Sequence, residues 1–184
     1  GAQQMSWSDP AKLVVAAPKF KLIGGTTTAP TKTETKPNPA SAMTAYTGTG
    51  FAISLPSGWT SGKTQAGASF AAKHGAQTNL AVAQQPGRGS QSLAQWEQTL
   101  VALAKSKGAT AVTSSLVKEP GGNAVYLAFH AANQTNVKAA TLEEYYFDAG
   151  TKAYLVIFDM PSSAEPGLRA DIAKIVASFR LTSN

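Results

Sequence analysis

The sequence predicts an α+β domain: an antiparallel sheet of about six to seven strands with two main helices packed on it. Three observations carry that expectation. Apolar residues recur at every second position in several short segments. Turn-forming clusters of Pro, Gly, Asn and Asp separate those segments. Two stretches with helical spacing fall between and after the runs of strands, which is the order of an α+β chain and not of a doubly wound sheet.

Residues 1–45 read as a leader. Lys12–Ala17 and Lys19–Ile23 are strand-like around Pro18, with Phe20 and Leu22 alternating with lysines, and are expected to add an edge strand against which Trp7 packs. Gly24–Thr44 is rich in Thr, Pro and Lys with Met43 as its one large apolar side chain, a linker composition that cannot offset its ordering entropy by burial.

Residues 46–184 read as the folded domain. Phe51, Ile53 and Leu55 alternate as a half-buried strand, and Pro56-Ser57-Gly58 turns the chain. Ala68–Lys73 and Asn79–Gln84 form a hairpin through His74-Gly75-Ala76-Gln77. Ser92 and Gln95 have capping-box spacing, and Leu93, Trp96, Leu100 and Leu103 follow on one helical face, with Lys105, Lys107 and Gly108 as a C-terminal stop. Four strands come next, Val112–Glu119, Ala124–Ala131, Ala140–Phe147 and Lys152–Asp159, with turn clusters at Pro120–Asn123 and Asp148–Thr151. Ser162 and Glu165 repeat the capping-box spacing before a last helix whose inner face is Leu168, Ile172, Ile175 and Phe179.

Composition removes several function classes. The chain has 184 residues, 43% of them hydrophobic, enough for one core. No cysteine is present, so disulfides, thiolate nucleophiles and Cys-ligated metals are excluded from these residues. The net charge is +6, but five leader lysines face only Asp9 and Glu34, and the remaining basic residues are dispersed. A nucleic-acid binder concentrates them on one face among aromatics, so nucleic acid is not expected as a partner. No apolar stretch reaches the roughly 18 residues of a membrane-crossing helix. Gly1 in place of an initiating Met reads as a cloning residue on a truncated mature protein, and a lipid-modified Cys at or before that position would give a peripheral membrane tether.

The run Gly50-Phe51-Ala52-Ile53-Ser54-Leu55-Pro56-Ser57-Gly58-Trp59, with Tyr46 upstream, resembles the opening of PsbP-like domains and related bacterial lipoproteins. The later order is also similar: a hairpin, a helix from Ser92, a meander carrying Glu143-Glu144-Tyr145-Tyr146-Phe147, and a final helix ending in Ser178-Phe179-Arg180. The likeness covers Tyr46 to Leu181. It implies a non-enzymatic, extracytoplasmic accessory role, surface-anchored or secreted, while the Lys- and Thr-rich leader departs from the photosynthetic members.

Chemical motifs are few. Gly58–Thr64 is similar to a phosphate-binding loop, yet only three residues separate Gly58 from Gly62 where the loop needs four. His74 and His130 have no metal-ligand spacing, and Ser69 and Ser90 lack the context of a nucleophile elbow. Asn133-Gln134-Thr135 is a glycosylation sequon, meaningful only in a eukaryotic secretory host. Glu143 and Glu144 are adjacent on a strand, so they point to opposite faces; a cross-strand pairing of one with Asp159 or Lys152 is expected. No catalytic, metal or cofactor site is expected. A ligand or partner surface would draw on Trp59, Trp96, Tyr126, His130, Tyr145, Tyr146 and Tyr154. Its partner would be a protein or envelope component, or an apolar ligand or lipid held between the sheet and the Ser92 helix; an enzyme of unread type is the remaining alternative.

Overall fold

A computed structural model describes residues 31–33, 43–64, 67–131 and 140–182. Trp7, the strands expected at 12–23, most of the linker and the sequon at 133–135 lie outside the described residues.

Six of the expected strands, together with a short strand after the Pro56–Gly58 turn that the sequence reading did not foresee, assemble into a seven-stranded antiparallel sheet in the order β4-β5-β6-β10-β9-β8-β7. Its strands are β4 (Trp59–Ser61), β5 (Phe70–His74), β6 (Thr78–Pro86), β7 (Thr110–Glu119), β8 (Gly122–His130), β9 (Ala140–Ala149) and β10 (Lys152–Pro161). The two-residue connections at Pro120-Gly121 and Gly150-Thr151 close tight hairpins, and Gly150 has the positive φ of 81° that such a turn requires. The segment similar to a phosphate loop begins as β4, and no helix follows it, so no array of amides faces a phosphate there.

A second, four-stranded sheet has the order β1-β2-β3-β11, from β1 (Thr31–Thr33), β2 (Thr44–Gly48), β3 (Phe51–Leu55) and β11 (Arg180–Leu181). Two departures from the sequence reading meet here. Tyr46 and Phe51 belong to this small sheet and not to the main one, and three residues of the polar linker pair with β2, Lys32 standing opposite Tyr46. The Thr-Lys-Thr segment has β-branched residues suited to a ladder, and pairing uses main-chain groups that composition does not record.

Helix α1 (Leu93–Ser106) starts at the expected capping box: the Ser92 side chain accepts from the Gln95 amide and the Gln95 side chain from the Ser92 amide. Helix α2 (Glu165–Ser178) begins differently. Its N-cap is Ala164, with no side-chain cap bond, and Pro166 lies in its first turn. The expected capping box of Ser162 and Glu165 does not form; Ser162 Oγ instead accepts a hydrogen bond from Thr141 Oγ1 at 2.9 Å.

These elements form three layers. On one face of the main sheet α1 buries Trp96, Leu100 and Ala104 against Val125, Leu127, Leu142, Tyr146 and Leu155. The opposite face carries α2 and the small sheet over Phe70, Leu80, Val82, Val156 and Phe158. Phe179, at the end of α2, stacks on Phe147 at 4.4 Å and Phe51 at 5.9 Å, linking both sheets.

Candidate functional site

Of the seven residues singled out above, four are core. Trp59 is buried, its ring edge-on to Phe158 and its Nε1 donating to Asp171 Oδ2 at 3.4 Å. Trp96 packs under α1, edge-on to Tyr146. Tyr154 is buried and donates to the Thr49 carbonyl. Fully buried Tyr146 donates to Glu144 Oε2 at 2.8 Å. Trp96, Leu100 and Ala104 are seated on the sheet beneath α1, where the alternative reading would hold an apolar ligand. Beside that helix lies a solvent-open groove of about 570 Å³, lined by polar residues such as Gln91, Gln95 and Thr99.

The other three, Tyr126, His130 and Tyr145, are half-buried and come together on the α2 side of the sheet. Strand alternation places them. Tyr126, Ala128 and His130 share a face of β8 and lie opposite Tyr145, Glu143 and Thr141 of β9, while Ser115 and Thr113 of β7 stand beyond Tyr126 and Ala128. The small sheet and Phe179 cover the opposite ends of these strands, leaving this corner open, with Ala128 half-exposed and Thr113 and Ser115 exposed. The Tyr126 and Tyr145 rings lie 4.9 Å apart. At the top of the corner His130 Nδ1 is 3.3 Å from Thr141 Oγ1.

Glu143 is the residue that the sequence reading missed. It sits between Ala128 and Phe158, and Glu144 between Leu127 and Ile157, so neither faces Lys152 or Asp159 and the expected cross-strand pairing does not form. Both are buried, because both faces of β9 are covered. Burial raises the Glu143 pKa, opposed by Arg169 and by the Tyr126 hydroxyl, while Glu165 adds to the rise. Desolvation together with Glu143 pushes Tyr126 up to about 12. Glu143 Oε1 is buried and has no hydrogen-bond partner among the described residues. The Arg169 guanidinium is bonded instead to Glu165, one helical turn away. No group of three metal-ligating residues occurs among the described residues.

No protein-family model matches the chain, and no curated protein matches it in sequence. Solved structures do. Cyanobacterial PsbP from Synechocystis sp. PCC 6803 superposes with a TM-score of 0.51 at 12% identity, over 89% of this chain and 99% of that one. The fold is PsbP-like. The same PsbP-like architecture relates the chain to LpqN of Mycobacterium tuberculosis, described as involved in cell envelope biogenesis, with a TM-score of 0.51, 10% identity and coverage of 84% and 91%. It also relates the chain to the Ran-binding protein Mog1p of Saccharomyces cerevisiae, with a TM-score of 0.51, 9% identity and coverage of 72% and 90%. At these identities the likeness defines the PsbP-like fold and leaves function to the site.

Proposed function

We propose that this chain is a non-enzymatic accessory domain of the cell envelope, acting outside the cytoplasm by binding a protein or envelope component through the open corner of β7, β8 and β9. The observation that carries the reading is that corner itself: two half-buried tyrosines and a histidine on a sheet face that is otherwise closed. Amphipathic rings with one wet edge are the side chains that binding surfaces favour. The Ran binding printed for Mog1p supports a binding role, and the cell envelope biogenesis printed for LpqN supports the envelope setting. An envelope tether ahead of β1 belongs to the same proposal. No helix among the described residues is long and apolar enough to cross a membrane.

In-cell photo-cross-linking tests it. A photoreactive residue at exposed Ser115, beside Tyr126, is expected to give a discrete adduct, and one at exposed Gln98 on α1 is not. Adducts from Gln98 alone, or from neither position, would sink the reading.

A further inference from the structure

Among the described residues Glu143 Oε1 is an acceptor without a donor in a protein interior, where an unmet polar atom is costly and therefore uncommon. Its surroundings describe the missing group. The other carboxylate oxygen is left to the Tyr126 hydroxyl. The rings of Tyr126 and Tyr145, tilted 47° to each other, present π faces of the kind that attract cations. Ala128, directly opposite Glu143, leaves a low floor between Tyr126 and His130, open to solvent. The charge acting on the site from α2 is divided between Arg169 and Glu165, which are bonded to each other. Arg169 is largely exposed and engaged by Glu165, and it does not supply the missing donor.

We infer that the notch over Ala128 receives a lysine side chain of the partner polypeptide, its ammonium donating to Glu143 Oε1 and lying against the rings of Tyr126 and Tyr145. Lysine fits better than arginine because one free oxygen is offered: a compact ammonium meets it with one N–H, whereas a guanidinium fork is matched by two. The inference rests on the open corner being the interaction surface and adds the chemistry of what it takes.

The test uses the full chain with ring-labelled tyrosine; there are only five tyrosines, so the spectrum is simple. The probe is a blocked glycine peptide with a single central lysine, titrated through the millimolar range beside the same peptide carrying norleucine, which keeps the alkyl shaft and lacks the charge. The lysine peptide is expected to shift Tyr126 and Tyr145 and leave buried Tyr154 in place, and the norleucine peptide to shift none. Glu143→Gln should weaken the lysine peptide about tenfold, as should be expected when a charge-assisted bond becomes a neutral one. The wild-type comparison of the two peptides stands even if that variant folds poorly. Equal shifts from norleucine, or no shift of these two rings with lysine, overturn the inference. If Ser115 still cross-links a partner in either case, the surface reading survives; if it does not, both fail.

Discussion

Glu144 lies under α1 with its carboxylate against the Tyr146 hydroxyl, and burial pushes its pKa up to about 8. A carboxyl that titrates higher in the folded state than in the unfolded chain binds its proton more tightly when folded. Its stabilising effect is complete below the unfolded value near 4.5 and is lost as pH rises toward 8, by at most about 1.4 kcal/mol per pH unit. Denaturant unfolding at pH 5 and pH 8 should therefore show the protein less stable at the higher pH. In Glu144→Gln the difference should shrink, and Glu143, raised for the same reason, should account for part of what remains. A slope unchanged in Glu144→Gln would mean that this carboxyl is not neutral in the fold. That Glu143 and Glu144 point to opposite faces was legible from their adjacency alone. Their burial was not, because two adjacent charged residues give no sign that both faces of the strand will be covered.

At the level of elements, α1 was readable to within a residue because its start is encoded locally, in Ser92 and Gln95. Removing that signal with Ser92→Ala should cost about 1 kcal/mol in chemical denaturation. The same spacing at Ser162 and Glu165 misled, since Ser162 is bonded to Thr141 across the fold, a competitor that only tertiary structure supplies. Close approach is equally invisible in sequence. Gly87 follows β6 and donates to the Thr151 carbonyl; a Cβ added there would sit 2.2 Å from the Gly150 carbonyl oxygen. Gly87→Ala is expected to lower stability by about 2 to 3 kcal/mol, readable as a fall in Tm, through displacement of the β9–β10 turn. A variant as stable as the parent would show that the turn yields freely. On β7 the ladder shifts register between Thr110 and Thr113, with Ala111 at a φ of 52°. Such a bulge breaks the regularity of an edge to which a foreign strand would otherwise add.

Across the whole molecule, the main sheet followed from the hairpin turns between neighbouring strands, while the small sheet was hidden because its members come from both ends of the chain. Phe179 ties the two together. Phe179→Ala should cost about 3 to 5 kcal/mol, since it empties the contact among Phe51, Phe147 and Tyr154. Thermal melting followed by tryptophan fluorescence and by far-UV circular dichroism should then show both signals moving together to a lower temperature. Separate transitions would mean that the layers fold independently. The pairing of Arg180 with Ala52 and Leu181 with Phe51 also sets a clock. A ribosome delivers β3 long before β11, so the small sheet stays unfinished and Phe179 absent until the residues after α2 have been made. Until then β3 waits without its last partner strand, and the aromatic contact that joins the two sheets is not yet made.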